Sequence, residues 1–509
     1  ADIFPKQRRI EAAAEITVEN RGESPISRFL IAWPLYAKTS DVQFDGGSIV
    51  ERDDSLNSAW FEFSNPLEVG EIRQGLLTTV IDHDGFKDKD EDFTILENGT
   101  FINNAELLPY FGYNRSYQLV DRHQRRKRDL GEPKRAHKLE DQSRYGEHAF
   151  DRSMTFIDFK ATVSTASDQI AIAPGYLTRE WEEGGRKYFR YEMDSPILNF
   201  FSINSGRMAV KKEDYKGVSI EVYYHPTHYW NVDDMIKSTK DSLDYFQGVF
   251  GPYQHRQYRI IEFPRYRSFA QSFANTIPFA EGAFLSDQRS DQYINQVYFV
   301  NAHEMAHQWW GHQLGAANVE GSAALSETLA EYSALIVMEK AYGETNARKF
   351  LTYELDRYLR GRSGEILDEN PLLRSDNQPY IHYQKGAVVM MALRHRMGED
   401  KVNQALKGIL DEFKYKDDPF PTTLDLVRHL KTNANDSEKS LIDDLFNQIT
   451  LYEMRAEEVT SEVLENGQFK INFKTSAKKY IADGKGEETE QPLEESVEIA
   501  MFSNDPNKF

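Results

Sequence analysis

The chain has 509 residues, 40% of them hydrophobic, enough to bury a sizeable core and too many for one typical domain, so two to four domains are expected. Lys and Arg total 61 against 82 Asp and Glu, a net negative charge of 21 that argues against any general affinity for nucleic acid or an anionic membrane. Cysteine is absent, which excludes disulfides, thiolate metal ligands and cysteine nucleophiles and leaves the compartment open.

The first residue is Ala, and "ADIFPKQRRI" lacks the apolar stretch of a signal peptide, so a processed chain or a piece of a longer one is expected. From residue 8 to about 200 the runs are short, β-branched or aromatic and bounded by Asn, Gly, Pro and Ser: "AAAEITVENRGES", "FLIAWPLY", "AWFEFSNPLEVG", "MTFIDFKATVS", "QIAIAPGYL", "RKYFRYEMDS". Such punctuation predicts an antiparallel β domain, placed at 1–208. Within it, Asp88, Asp90 and Asp92 have the first spacings of a calcium loop. Phe93 and Gly99 stand where that loop needs Gly and Glu, so no calcium site is expected. The basic run "RHQRRKRDLGEPKRAHK" at 122–138 reads as a solvated loop in so acidic a chain. Asn98-Gly-Thr and Asn114-Arg-Ser match the glycosylation sequon, which matters only in a eukaryotic secretory setting.

Past 205 the period changes. "VDDMIKSTKDSLDYFQGVFG" places Met235, Leu243, Phe246 and Phe250 at helical intervals and stops at Gly251-Pro252, with the strand "YRIIEF" after it. Helical patterns, among them "KVNQALKGILDEF" and "LDLVRHLKTNAN", continue to about 455. The longest apolar run, "GAVVMMAL" at 386–393, falls far short of the roughly 18 to 20 residues of a membrane-spanning helix, so the chain itself is not expected to enter a bilayer. Alternation returns after 456 in "QFKINFK" and "SVEIAMF", joined across the turn signal Asp483-Gly484-Lys485-Gly486. The expected fold is therefore multi-domain α+β: a β domain, a mainly helical domain at 209–455 and a short C-terminal β segment at 456–509 that packs on the rest or is cut short.

The chemistry concentrates in "AHEMAHQWWGHQL", residues 302–314. His303 and His307, four apart, project from one face of a helix and can converge on one ion, for which zinc suits imidazole nitrogen. Glu304 sits about 100° around the helix, placed to act on a water without being a ligand. A catalytic zinc wants a third protein ligand and an open position; "ALSETLAEYSALIVMEK" offers Glu327 and Glu331, one turn apart, so that one can ligate while the other orients an imidazole. Gly311, Gly315 and Gly321 lie between the two helices and let the chain turn back. His312, five after His307, faces away and is expected to be structural, and Trp309 and Trp310 are expected to pack.

"HEMAHQWWG", "LSETLAEY" and "YQKGA" together resemble the aminopeptidase N family of zinc metallopeptidases, the gluzincins. The resemblance implies a thermolysin-like catalytic domain after a β domain, one Zn2+ per chain held by His303, His307 and Glu327, Glu304 as base, Tyr383 as oxyanion stabiliser, and peptide substrates. It also implies two departures. His307 and Glu327 are separated by 19 residues, one more than is usual, which a one-residue loop insertion explains. The family's amine-reading Glu, in a Gly-x-Met-Glu-Asn segment, is missing: "FAQSFANTIPFAEG" has Ala270, Gln271 and Ser272 where Ala, Met and Glu would fall. Glu106 and Glu281 are the acids left to meet a substrate amine. "FPRYRSFAQSFANTIPF" further resembles the bacterial branch fused to transporter-like membrane segments, which implies that the chain is part of a longer membrane-associated protein. The expected function is removal of N-terminal residues from peptides. The alternatives are an endopeptidase or other hydrolase on the same site, or a non-catalytic peptide-binding module.

Overall fold

A computed structural model describes residues 1–83, 94–113, 118–150, 153–288 and 294–499. The calcium-loop spacing at Asp88, Asp90 and Asp92 and the sequon at Asn114 fall outside them. The described chain forms two compact units. The first comprises 1–135, 150–247 and 252–312, the second 136–149, 248–251 and 313–509.

In the first unit the short N-terminal runs become sheets, as their alternation predicts, antiparallel except where Asp2–Phe4 pairs in parallel with Lys160–Ala166. A seven-stranded sheet takes the order Tyr176–Glu183, Arg186–Glu192, Lys160–Ala166, Asp2–Phe4, Arg9–Glu19, Ile72–Asp82, Ala37–Phe44. Its core is apolar and fully enclosed: Ile3, Ile10, Val163 and Ala171 are each 0% exposed. A four-stranded sheet that includes Ile26–Ala32 and Ser58–Leu67 buries an aromatic cluster, with Phe29 stacked on Phe61 at 5.1 Å between centroids. The same unit then switches to a mixed sheet of β1 (Ala209–Tyr215), β2 (Val218–Tyr224), β3 (Gln257–Phe263) and β4 (Thr276–Ala280). Here β1 and β2 form a hairpin, while β2, β3 and β4 run parallel. Parallel neighbours need a crossover, and α1 (Val232–Val249) supplies the one between β2 and β3. As its spacing predicts, α1 buries Met235, Leu243 and Phe246.

The second unit is helical, and α4 (Leu329–Tyr342), α5 (Gly386–Met397) and the amphipathic helices Glu399–Phe413 and Thr423–Thr432 build it. Two of its helix starts carry reciprocal caps, Thr422 with Asp425 and Asn435 with Glu438, each satisfying two otherwise orphaned backbone N–H groups. The basic stretch divides in an unforeseen way. Arg122–Arg126 is a short exposed helix, whereas Lys138 Nζ bonds Glu320 at 2.7 Å and the Ala136 N–H donates to Asp376 at 2.9 Å, so its second half is tied down rather than solvated.

The tail forms a three-stranded sheet, Ile449–Val463, Phe469–Ala482 and Glu488–Gln491. Asp483 Oδ1 accepts the Lys485 and Glu487 N–H groups, so the predicted turn forms. It leads into the polar strand Glu488–Gln491, however, and the described part of "SVEIAMF", residues 496–499, belongs to no strand. A tight turn fixes the register of the residues directly after it, and that position outweighs the apolar alternation further on. No helix among the described residues is long and apolar enough to cross a membrane.

Candidate metal centre

The His-Glu helix is α3 (Gln296–Ala306), which comes after α2 (Glu281–Leu285). Its start is capped by Asn295, whose side chain accepts the Tyr298 N–H at 2.9 Å. Its flank is pinned to α1: Ser238 Oγ donates to the Tyr298 carbonyl at 2.7 Å, and Asn301 Nδ2 reaches the Met235 carbonyl and Thr239. The regular helix ends at Ala306, one residue before the second histidine. His307 nevertheless keeps helical dihedrals, and its N–H still bonds the His303 carbonyl at 3.2 Å, so both rings stay on one face.

Ring orientation is set from behind. His307 Nδ1 lies 2.9 Å from the Trp310 carbonyl, which can only accept, so the proton sits on Nδ1 and the Nε2 lone pair points forward. That Nε2 is 3.0 Å from Nε2 of His303. Two nitrogen donors about 3.4 Å apart are what one tetrahedral zinc at about 2.0 to 2.1 Å from each requires. Two imidazole nitrogens so placed fit zinc. Glu304 is buried, and its charge adds to burial in raising the phenol pKa of the fully buried Tyr258.

The chain beyond the helix is locked by groups whose role the sequence did not disclose. Gln308 Nε2 donates to Ser272 Oγ at 2.6 Å and to the Phe273 carbonyl at 2.9 Å, and Ser272 Oγ donates to the Glu304 carbonyl at 2.9 Å. Ser272, where the resemblance called for an amine-reading Glu, thus braces the backbone of the zinc helix. His312 is buried with Nε2 3.1 Å from the Ser272 carbonyl, and burial pushes its pKa down to about 4, so it is a neutral structural donor as its spacing predicted. Trp309 and Trp310 are fully buried, Trp309 against Phe246 and Tyr253, and they pack.

Glu327 and Tyr383 each sit in a π-helical turn, Ala324–Thr328 and Tyr380–Lys385. Such turns are rare and are found mostly at functional sites. The two turns touch: the Thr328 hydroxyl donates to the His382 carbonyl, and Gly386 lies so close that an added Cβ would stand 2.3 Å from Thr328 Oγ1. Gly386→Ala is therefore expected to cost about 1–3 kcal/mol as overpacking, and a thermal midpoint equal to that of the wild type would refute the close approach. Gly321, at φ +83° with Leu373 and Thr423 against it, makes the turn into the Glu327 segment in a conformation that side chains rarely adopt. His382 is buried next to Tyr383, rings 4.9 Å apart; burial lowers its pKa to about 4 despite the opposing charge of Glu327. Tyr383 itself is half-buried and Glu331 is buried.

The residues expected to read the substrate amine stand elsewhere in the first unit. Glu106 accepts the Asn103 N–H in a capping box and is paired with Arg267. Gln271 lies in the hairpin that folds Ala270 against Phe279, its N–H bonding the Pro278 carbonyl at 3.1 Å. Glu281 is drawn together with His228 and Glu262.

Residues 235–448, which span α1, the His-Glu helix, the Glu327 turn and the Tyr383 turn, match the Peptidase family M1 domain. Over these residues the chain is similar to peptidase family M1 and to aminopeptidases. Among relatives of this M1 domain, aminopeptidase M1-B of Oryza sativa subsp. japonica is 24% identical over 302 residues, 56% of this chain and 33% of that protein. Human aminopeptidase N is 25% identical over 258 residues, 48% of this chain and 26% of that protein. The chain thus spans about a third or less of the length of these relatives. The M1 zinc metallopeptidase of Deinococcus radiodurans, in a crystal structure with a Tyr-Ser-Ala substrate, superimposes with a TM-score of 0.60 at 16% identity, covering 88% of this chain and 92% of that one. That likeness establishes the fold: N-terminal β sheets, a helical M1 domain and a C-terminal β segment.

Proposed function

We propose that the protein is a zinc aminopeptidase, with residues 1–208 as its N-terminal β domain, 209–455 as its catalytic domain and 456–509 as its C-terminal β segment. His303, His307 and Glu327 would hold one zinc ion per chain, and Glu331, one turn from Glu327, would steady that ligand set. The observation that carries the reading is the pair of His303 and His307 Nε2 atoms 3.0 Å apart at the end of α3, the His307 ring oriented by the Trp310 carbonyl, inside the M1 match.

Zinc, when bound, supplies Lewis acidity that acidifies a water and polarises the scissile carbonyl. The protein's own residues do the rest. The Glu304 carboxylate takes the proton of the attacking water and returns it to the leaving amine. The Tyr383 hydroxyl donates a hydrogen bond to the oxygen on which charge develops. Gln271, on the edge hairpin, would lie along the substrate backbone, and Glu106 or Glu281 would receive its ammonium group. The net negative charge of 21 argues against general affinity for nucleic acid.

The test compares a peptide with a free amino terminus and its N-acetylated form, before and after chelation. Hydrolysis of the free peptide alone, lost with chelator and restored by zinc, is expected. Equal cleavage of both peptides would make the protein an endopeptidase, and chelator-insensitive binding without cleavage would make it a peptide-binding module.

A further inference from the structure

The three parallel strands of the mixed sheet deliver a second set of metal-ligand side chains at their C-terminal ends. His228 lies four residues beyond β2, Glu262 is the last residue but one of β3, and Glu281 comes directly after β4. None is near another in sequence; the parallel register, with Tyr223 beside Ile261 and Phe263 beside Ala280, brings them to one edge. One donor atom from each lies within 4.8 Å of the other two.

We propose that His228, Glu262 and Glu281 form a second divalent-cation site, distinct from the His303 and His307 pair, that takes a first-row transition ion such as zinc. The chemistry of the set favours this. An imidazole with two carboxylates matches zinc or manganese, whereas calcium prefers six to eight oxygens. Glu262 is buried and already oriented: its Oε2 accepts the His225 N–H at 2.7 Å, which leaves Oε1 turned to His228 Nδ1. A backbone donor holding one oxygen of a carboxylate while the other faces the ion is the usual support of a metal ligand. Glu281 has no hydrogen bond or ion pair among the described residues and faces the charge of Glu262, an arrangement that costs energy unless a cation lies between them. With the imidazole neutral, two carboxylates balance one divalent ion, whereas a protonated imidazole would leave one carboxylate uncompensated. Donors on one zinc stand about 3.4 Å apart, so closure asks only for a swing of the half-exposed Glu281 and a parting of the His228 and Glu262 contact. The ion would tie β2, β3 and β4 together where each strand ends, and Glu281 would serve it rather than a substrate amine.

The experiment counts zinc per chain, by equilibrium dialysis and elemental analysis, in the full chain carrying both His303→Ala and His307→Ala. That variant is expected to retain one zinc and to melt at a higher temperature with zinc than without it, since an ion that binds only the folded state stabilises it. Adding Glu281→Gln should weaken the remaining zinc at least about tenfold. Because Glu281 makes no hydrogen bond and faces the Glu262 carboxylate, that change should not lower the zinc-free melting temperature. Calcium should give no protection. Loss of all bound zinc in the double-histidine variant, or zinc affinity unchanged by Glu281→Gln and His228→Gln, overturns the proposal while leaving the reading of the His303 and His307 site untouched.

Discussion

Glu304→Gln is expected to keep zinc at wild-type stoichiometry and to lose turnover by about 100- to 10,000-fold, the range for removal of a general base. Glu304 is buried on the His-Glu helix with its own carbonyl held by the Ser272 hydroxyl, and an amide of the same size preserves that packing. Only the capacity to accept a proton is removed. Neither proposed imidazole ligand loses its support, because His307 is aligned by the Trp310 carbonyl and not by Glu304. A variant that keeps activity within a few-fold shows that another group takes the proton; one that loses zinc as well shows that Glu304 is part of the ligand set. Metal analysis beside kcat on an unblocked peptide separates the two.

Legibility in the sequence tracks the range of the interaction concerned. Helix periodicity is a local property, so α1 with Met235, Leu243 and Phe246, and the shared face of His303 and His307, are legible from spacing alone. The early β runs are legible for the same reason. The π turns are not, since nothing in "ALSET" or "YIHYQK" distinguishes an i→i+5 turn from an α-helical one; the contact of Thr328 with His382 that accompanies them joins residues 54 apart in sequence. An i→i+5 turn takes up one residue more than an α turn does, which matches the one-residue excess between His307 and Glu327 and places it in the helix as readily as in the loop. Ser272 reads as the loss of an amine-binding acid until its bonds to Glu304 and Gln308 reveal a brace. His228, Glu262 and Glu281 are brought together only by the pairing of parallel strands across a crossover helix, a long-range event that spacing does not encode. The alternation of "SVEIAMF" misled over its described residues 496–499, which belong to no strand: alternation without a partner makes no sheet.

Tyr383→Phe is expected to lower kcat about 100- to 1,000-fold with KM nearly unchanged, equivalent to about 2.7–4 kcal/mol of transition-state stabilisation. Such a split identifies a group that acts on the charge developing in the reaction and not on the bound peptide. The geometry gives the hydroxyl a fixed base from which to act. Tyr383 is carried on a π turn whose neighbours are held on both sides, His382 through its carbonyl to Thr328 and Gly386 through its close approach to the same residue. The ring is half-buried beside the neutral His382, so its removal to Phe changes one oxygen and little of the packing. A structural tyrosine would behave differently: loss of its hydroxyl would lower the melting temperature and leave kcat within a few-fold. Measuring both quantities on the same variant decides between them, and intact kinetics with a lowered midpoint would remove Tyr383 from the reaction.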